Sequence, residues 1–159
     1  MEKKFETVEF EKLVQARENQ LAQFRNVPNK LEVVWEQDGK VILNNASSTD
    51  IESALEAISA VRERVVWITE MDYSEINFHG ILGGLLNKLD KIIHVGENNP
   101  FEKLGSGAVH VPSLQDAVKL GWESLNDNAY LVYAPAILPE KTIRERGELF
   151  RNEVTKLWS

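Results

Sequence analysis

The sequence predicts an α/β fold built on a doubly wound, mostly parallel sheet with helices on both faces and an N-terminal β-hairpin. Two observations support this prediction. Short apolar segments alternate with amphipathic segments of helical spacing, in the order β-α-β-α-β-α-β-α. The segment Val65–Ile68 is apolar at four consecutive positions, which is typical of a strand covered on both faces. The 159 residues fit one ordinary domain, and we find no internal repeat or linker.

The first predicted elements are a helix and a hairpin. Five apolar residues recur at spacings of three, four and seven and share one helical face: Phe10, Leu13, Val14, Leu21 and Phe24. Pro28 ends this helix. Apolar runs over 31–35 and 40–43 follow, and Asp38-Gly39 between them predicts a hairpin turn.

The remaining elements follow in regular alternation. Thr49 and Glu52 have the spacing of a capping box, which predicts a helix from Thr49 through Val61. The later segments predict strand Val65–Thr69, a helix from Ile76 to Leu89, strand Lys91–Val95, a short helix or turn over Phe101–Leu104, strand Ala108–Val111, a helix capped by Ser113 that runs to Trp122, strand Ala129–Ala134, and a helix started by Pro139 that runs to Leu157.

Composition excludes several classes of function. The net charge of −7 disfavours nucleic acid as a partner, because an acidic surface repels a phosphate backbone. The absence of cysteine excludes disulfides and thiolate metal sites. The apolar runs are too short to cross a membrane, and the first residues lack the apolar stretch of a signal peptide. We therefore expect a cytoplasmic protein.

The loops that follow the strands are the expected place for a ligand, because ligands of open α/β sheets bind beyond the carboxyl ends of the strands. These loops cover 44–49, 69–75, 96–100 and 134–139. The first of them is polar and precedes a helix, so it either binds an anion or simply caps the helix.

Other chemistry-bearing residues give weaker signals. Glu70 and Asp72 follow a strand and suit a general base or a magnesium ligand, although solvated loop residues are the more common case. The three histidines show no metal-ligand spacing and are better interpreted as surface or satisfied core side chains. No glycine-rich phosphate loop occurs.

The apolar stripe of the N-terminal helix also needs a partner surface. The helix packs on its own sheet, or Phe10, Leu13 and Phe24 dock onto another protein or a second copy of the chain. The sequence leaves both alternatives open.

Three stretches carry a resemblance to a known family: Phe24–Val34; Asp38-Gly39 with Leu43–Thr49; and Leu131–Ala136 with Arg144–Phe150. They are similar to three parts of the C-terminal domain of the Mur ligases, most closely of the members that add D-glutamate. These parts are the opening Phe-x-Gly-x-Pro-His-Arg-Leu-Glu segment, the hairpin with its Asn-Asp-Ser-Lys-Ala-Thr-Asn loop, and the last strand with the closing Glu-x-Arg-Gly-x-x-Phe helix. The similarity runs from about residue 20 to residue 157.

The resemblance implies a helix over 1–27 followed by a Rossmann-like α/β domain over 28–159. In the family this domain closes over the ATP site of a preceding central domain and holds the incoming amino acid during peptidoglycan synthesis. It thereby implies a set of substrate-binding positions in this chain: Lys30, Asn45, Ser47, Ser48 and Thr49.

The chain departs from the family where charged groups handle substrate and nucleotide. The loop lysine of the family falls on Ser47 and its aspartate on Asn45, whereas Thr49 matches. The His-Arg pair is Asn29-Lys30, which keeps one positive charge but loses bidentate donors. A Gly-Gly-x-Asp-Lys-Gly loop with a second substrate lysine is absent after Val65–Ile68.

These departures lead to three hypotheses. The first is a stand-alone, ligase-like domain without catalytic residues or metal ligands of its own, which serves as a binding or interaction module linked to cell-wall synthesis. The alternative is the C-terminal half of a split ATP-dependent amino-acid ligase, in which a partner chain supplies the ATP and magnesium site. The third is an unrelated binder of a small anionic molecule on the same scaffold.

Overall fold

The computed structural model describes residues 27–72, 84, 85, 87–97, 99–101 and 108–159. The elements in these ranges are β1 (Glu32–Gln37), β2 (Lys40–Asn44), α1 (Ile51–Ala60), β3 (Val65–Thr69), β4 (Leu89–Val95), β5 (Ala108–Val111), α2 (Leu114–Glu123), β6 (Tyr130–Tyr133) and α3 (Ile143–Lys156). The predicted N-terminal helix and most of the helix predicted from Ile76 lie outside the described residues. None of the described helices has the length and apolar character needed to cross a bilayer.

The six strands form one sheet in the order β1-β2-β6-β3-β4-β5. Strands β1 and β2 are antiparallel, and all other neighbouring pairs are parallel. The hairpin turn has positive φ at both central positions, 53° at Asp38 and 81° at Gly39, as an Asp-Gly turn of this kind requires. The predicted α/β fold, with a mostly parallel sheet and an N-terminal hairpin, is confirmed.

Helices cover both faces of this sheet. On one face α1 packs through Ala54 and Ile58 against a core that contains Trp67 of β3. On the other face α2 and α3 pack against a second core, to which α3 contributes Phe150 and Val154. All five residues of β3 are buried, as the apolar run predicted.

The helix starts differ from the predicted ones. Asp50, not Thr49, is the N-cap of α1: its carboxylate accepts a hydrogen bond from the Ser53 amide at 2.7 Å. Ser53 completes the capping box in place of Glu52. A carboxylate is a stronger acceptor than a hydroxyl and also interacts favourably with the helix dipole, so the cap moves one residue along the chain.

Two other predicted boundaries are wrong. Helix α3 is capped by Thr142, whose hydroxyl accepts from the Glu145 amide at 3.1 Å, and Pro139 lies before the helix. The proline only presets φ, whereas Thr142 satisfies a backbone donor. Leu89 continues the helical spacing in sequence but begins β4, where it pairs with Val65.

A cluster of three tryptophans joins the hairpin to the second helical face. The rings of Trp35 and Trp158 are stacked with centroids 3.9 Å apart, and Trp122 meets Trp158 edge-on at 5.1 Å. The ammonium of Lys40 lies 5.5 Å from the centroid of the Trp122 ring. We call these three indoles the tryptophan cluster.

Candidate functional site

The carboxyl ends of the parallel strands meet at one edge of the sheet, as predicted. In the order of the sheet, β2, β6, β3 and β4 end side by side, at Asn44, Tyr133, Thr69 and Val95. The connection after β2 leads to α1 on one face, and the connection after β6 leads to α3 on the other. Ligand crevices form where neighbouring strands send their connections to opposite faces.

The loop after β2, residues 45–49, is held from inside by Arg146. The guanidinium of Arg146 donates to the carbonyl oxygens of Ala46 and Ser48, each at 2.6 Å, and to that of Ile137 at 2.7 Å. Arg146 is buried, and burial lowers its pKa, an effect that Tyr133 and Glu70 oppose. The donors of this arginine are therefore directed at the backbone of the loop.

Two polar side chains of this loop, those of Asn45 and Ser48, are also engaged within the chain. The Asn45 side-chain oxygen accepts from the Leu31 amide at 3.0 Å, and the Ser48 hydroxyl donates to the Pro135 carbonyl at 2.6 Å. The Ser47 amide donates to the Asn29 carbonyl at 3.0 Å. We call residues 45–49 with these contacts the locked loop.

A buried network next to the locked loop was not expected from the sequence. The Asn44 side chain donates to the side-chain oxygen of Asn29 at 2.9 Å and to the Glu32 carboxylate at 3.0 Å. Arg151 donates to the same two acceptors, at 3.2 and 2.8 Å. A Cβ at Gly147 would overlap the Asn29 side chain, so α3 contacts this network with no room for a side chain.

Four of the five predicted substrate-binding residues line one cavity of about 600 Å³: Lys30, Asn45, Ser47 and Ser48. The cavity lies between the β1–β2 hairpin and α1, and we call it the hairpin cavity. Thr49 is half-buried and is not part of its wall. Ligand binding by these five residues stays a prediction. Phe10, Leu13 and Phe24 lie outside the described residues, and so does their predicted role.

A second and larger cavity, of about 780 Å³, opens at the carboxyl ends of β3, β4 and β6. Its wall is completed by the segment 137–142 and by the first turns of α3. Leu138 and Leu149 belong to this wall and are 73% and 60% exposed. We call this cavity the carboxyl-edge cleft.

The carboxyl-edge cleft is acidic. Six carboxylates line it: Glu70, Asp72, Glu97, Glu140, Glu145 and Glu148. Among the described residues of its wall the lysine and arginine side chains are Lys141 and Arg146, the guanidinium of Arg146 is engaged with backbone carbonyls, and Glu148 pairs with Arg144. A cleft lined by one sign of charge concentrates ligands of the opposite sign, so this one favours cations.

Glu70 lies in the wall of the cleft beside the end of β6. Its carboxylate accepts a hydrogen bond from the Tyr133 hydroxyl at 3.1 Å. Burial raises the pKa of Glu70, although the Tyr133 hydrogen bond and the charge of Arg146 act in the opposite direction. Burial likewise raises the pKa of the Tyr133 phenol well above its usual value. The expectation of a solvated loop residue is wrong for Glu70 and correct for Asp72, which is exposed.

Two histidines that are distant in sequence meet at the neighbouring strands β4 and β5. The Nδ1 atoms of His94 and His110 are 3.1 Å apart, and Nε2 of His94 lies 3.1 Å from the Met71 carbonyl. The Met71 amide also lies 3.2 Å from Nε2 of His94, so this nitrogen either donates to the Met71 carbonyl or accepts from the Met71 amide, and Nδ1 takes the complementary role towards His110. Burial lowers the pKa of His94. His94 is thus a satisfied core imidazole, as predicted.

The described residues do not form a cluster of metal ligands. No three His, Asp or Glu side chains there are placed to hold a metal ion together. The pair of histidines and the carboxylates of the cleft remain separate groups.

Comparison with known proteins confirms the resemblance to the Mur ligases. The chain is similar to UDP-N-acetylmuramoylalanine–D-glutamate ligases from Porphyromonas gingivalis (26% identity over 145 residues, 86% of this chain and 32% of the relative), Idiomarina loihiensis (24% over 153 residues, 91% and 33%) and Chlamydia felis (26% over 138 residues, 82% and 33%). No protein-family model matches the chain. The chain spans about one third of the length of these relatives.

A solved structure supports the same fold. The UDP-N-acetylmuramoylalanyl-D-glutamyl-2,6-diaminopimelate–D-alanyl-D-alanyl ligase from Acinetobacter baumannii aligns with 82% of this chain and 29% of its own, with a TM-score of 0.51 and 11% identity. At this identity the likeness concerns the fold alone. Residues of the chain thus form a Mur ligase-like α/β domain.

Proposed function

We propose that this Mur ligase-like domain is a binding module linked to peptidoglycan synthesis, that it does not carry out ligation with its own residues, and that it binds a basic protein segment in the carboxyl-edge cleft. The observation that carries the proposal is the charge of that cleft. Of the described residues that line it, six are acidic and two, Lys141 and Arg146, are basic, and the guanidinium of Arg146 is already engaged. Chemistry that acts on anionic substrates needs cations at this edge.

Under this proposal the described residues bind no nucleoside triphosphate by themselves. The resemblance places nucleotide and substrate near the locked loop, where Asn45 and Ser47 stand in place of the family's charged residues. Among the described residues, the guanidinium of Arg146 is directed at the backbone carbonyls of Ala46, Ser48 and Ile137, whereas Lys30 and Arg62 line the hairpin cavity next to the loop. We therefore propose no chemical step in this chain that uses ATP or magnesium.

The cleft fits a partner that combines positive charge with apolar surface. The carboxylates of Glu140 and Glu145 lie on the exposed rim, close in sequence to the exposed side chain of Leu138. Lysine or arginine side chains would meet the carboxylates, and apolar side chains would cover the leucines. Interfaces gain partner choice and association rate from such complementary charge.

The experiment compares two amphipathic peptides of equal length, one with lysine and leucine and one with glutamate and leucine. We expect the lysine peptide to bind and its affinity to fall with added salt, because surface charges are screened. The double substitution Glu140→Lys and Glu145→Lys should abolish binding. Glu123→Lys, an exposed glutamate on α2 outside the cleft, is the matched control.

Thermal unfolding with ligands provides the decisive negative test. A ligand at 100 times its Kd stabilises a protein by about 2.7 kcal/mol. We expect no stabilisation by ATP–magnesium, UDP-N-acetylmuramoyl-L-alanine or D-glutamate. Stabilisation by any of the three would contradict the proposal.

The second candidate is the C-terminal half of a split amino-acid ligase. The exposed Leu138 and Leu149 at the carboxyl edge favour it, because exposed apolar side chains beside a cleft suit contact with another protein chain. Under this proposal a partner chain supplies ATP and magnesium. Amide-bond formation from D-glutamate, detected only after such a chain is added, would support it over the first candidate.

A further inference from the structure

The hairpin cavity extends along the whole length of β2. Val41 lies near the amino end of this strand, where it pairs with Glu36 of β1 and with Tyr130 of β6. Asn45 directly follows the carboxyl end of β2. All four residues line the cavity. At the rise of a β-strand, the wall from Val41 to Asn45 spans roughly 13 Å.

The wall of this cavity is largely apolar. Six aliphatic side chains from the hairpin region and from α1 with its cap contribute to it: Leu31, Val33, Val41, Leu43, Ala57 and Val61. All six belong to the core cluster beneath α1 or pack against it. Small-molecule sites in proteins combine such a lining with a few placed polar groups. The wall therefore suits an aliphatic chain.

One buried polar group at the carboxyl end of the cavity has no partner. Asn45 is 7% exposed. Its backbone amide donates to the Tyr133 carbonyl at 2.8 Å, and its backbone carbonyl accepts from the Ser48 amide at 3.2 Å. Its side-chain oxygen accepts from the Leu31 amide. Among the described residues, none accepts a hydrogen bond from Nδ2 of Asn45, the one polar atom that remains.

Leu31 fixes the direction of this side-chain amide. Its backbone N–H requires an acceptor, so the oxygen of Asn45 faces Leu31 and Nδ2 faces away from that contact. Leu31 has a φ of 47°, in the left-handed region that leucine rarely adopts. Its contact with Asn45 is thus one of those that hold a strained backbone in place. Nδ2 of Asn45 is a donor held in one orientation in the wall of the cavity.

A cation lies at the same end of the cavity. Lys30 precedes Leu31 in the wall and is exposed, and within the described ranges its ammonium group has no carboxylate partner. The hydroxyl of Ser47 belongs to the same part of the wall. This end therefore combines two groups that only donate hydrogen bonds with one hydroxyl that can donate.

The other charged residues of the described wall lie elsewhere. Arg62 and Glu63 follow α1 on the way to β3 and so lie at the amino end of the strands, as does Glu36. Glu56 is exposed on α1, about one helical turn beyond Ser53. The wall thus holds two cations and three carboxylates in its described part. Its net charge does not favour an anion, whereas the position of its donors does.

We propose that the hairpin cavity binds a small amphipathic carboxylate, with the carboxylate group at Nδ2 of Asn45 and the ammonium of Lys30 and with an aliphatic chain along β2 and α1. An ionised carboxylate only accepts hydrogen bonds, which matches these two donors. In the reverse orientation the carboxylate would meet Glu36 and Glu63 beside Arg62. This site lies on a different face from the carboxyl-edge cleft, so the inference does not depend on the proposed function.

The first experiment compares decanoate, decanol and decylamine by titration calorimetry. The three probes share one aliphatic chain and differ in the charge of the head group. We expect saturable binding of one decanoate per chain. Decanol should bind about tenfold more weakly, because hydrogen bonds to a charged group are stronger than those to a neutral one. Decylamine should bind more weakly still, because it presents a donor to donors.

The second experiment changes the donors. Asn45→Asp keeps an oxygen for the Leu31 amide but removes the donor and adds a negative charge, so the decanoate affinity should fall at least about tenfold. Lys30→Gln removes the cation at an exposed position without changing the locked loop, and should also weaken decanoate. Thermal unfolding without ligand checks that each variant is folded.

Two controls lie away from the proposed head group. Arg62→Gln removes the cation at the opposite end of the cavity and should leave the decanoate affinity unchanged. The double substitution Glu140→Lys and Glu145→Lys in the carboxyl-edge cleft should also leave it unchanged, although the same variant tests the proposed function.

Three results would overturn the inference. No saturable decanoate binding would show that the cavity does not take this class of ligand. Equal affinities for decanoate and decylamine would show that the donors do not select the head group. A loss in Arg62→Gln, with full affinity in Lys30→Gln, would place the carboxylate at the other end of the cavity.

Discussion

The locked loop and the carboxyl-edge cleft lie on the same edge of the same sheet but differ in what their polar groups do. In the locked loop, Asn45 and Ser48 are buried and hydrogen-bonded within the chain, and Arg146 donates to the loop backbone. In the cleft, the rim carboxylates of Glu140 and Glu145 are exposed to solvent. The buried polar groups of the first region make hydrogen bonds within the chain, and it is the second region that we propose as the binding surface for a basic protein segment.

This difference shows that the polar composition of a loop does not by itself indicate that the loop binds a ligand. A run such as Asn-Asn-Ala-Ser-Ser-Thr shows in the sequence that hydrogen bonds will form, but it does not show with what. The partners of the locked loop come from positions about one hundred residues away, as with Arg146 and Ala46. Only the folded chain shows that the side chains of Asn44, Asn45 and Ser48 are already hydrogen-bonded within it.

The largest expected effect is loss of the arginine that holds the locked loop. Arg146→Ala leaves the buried carbonyls of Ala46, Ser48 and Ile137 without their donor, and we expect the free energy of unfolding to fall by about 3–5 kcal/mol. Arg146→Lys keeps the charge but cannot reach all three acceptors, so its free energy of unfolding should lie between those of Arg146→Ala and the unsubstituted chain. Urea unfolding provides the measurement.

The control for this prediction is on the same helix. Arg144 is exposed and pairs with Glu148 one turn away, so Arg144→Ala should change the free energy by less than about 0.5 kcal/mol. Equal losses in the two alanine variants would remove the distinction between the locked loop and the rest of the edge.

The next effect tests the close approach of α3 to the buried network. Gly147→Ala places a methyl group against the Asn29 side chain, which must move away from Asn44 and Arg151. We expect a loss of about 1–3 kcal/mol in urea unfolding. Gly84→Ala, where a Cβ meets open space, is the matched control and should not show this loss.

A smaller effect distinguishes the observed helix cap from the one that the sequence predicts. Asp50→Ala should lower the thermal midpoint, because the carboxylate of Asp50 accepts from the Ser53 amide. Thr49→Ala should leave it nearly unchanged. Hydrogen bonding to Ser53 lowers the pKa of Asp50, so this contribution is present at neutral pH and is lost as the pH falls through that lowered pKa. A larger loss in Thr49→Ala would restore the predicted cap.

The smallest expected effect is a pH dependence of stability that arises from Glu70 in the wall of the cleft. Because burial raises the pKa of Glu70 above its unfolded value near 4.5, the folded state holds this proton where the unfolded state has already released it. The stability of the unsubstituted chain relative to Glu70→Gln should therefore fall as the pH rises from below about 4.5 through the raised pKa. Urea unfolding across this range provides the measurement. A difference that is independent of pH would place Glu70 in an environment like that of a solvated residue.

Much of the fold follows from local pattern. The strand Ala108–Val111 and the cap Ser113 have the predicted bounds, because a short apolar run and a capping hydroxyl act through neighbouring residues. Leu89 could not be placed in this way, since its spacing fits the preceding helix and only the pairing with Val65 in the sheet decides.

The candidate site was less predictable. The placement rule for open sheets predicted a site at the edge where the cleft lies, but the acidic character of the cleft comes from segments far apart in sequence, such as 70–72 and 140–148. Each acidic residue looks like an ordinary solvated side chain by itself. A count of acidic and basic residues over all the loops and helix starts at this edge would have revealed the excess of acidic residues.

The tryptophan cluster gives the junction between the hairpin and the end of α3 a spectroscopic signal of its own. Stacked indoles such as Trp35 and Trp158 absorb as coupled chromophores, and their coupling gives a paired band in the circular dichroism spectrum. The fourth tryptophan, Trp67, is fully buried on the opposite side of β3 and has Phe101 as its ring neighbour. One unlabelled sample therefore carries two spectroscopic signals, so separation of the hairpin from α3 can be followed apart from melting of the core.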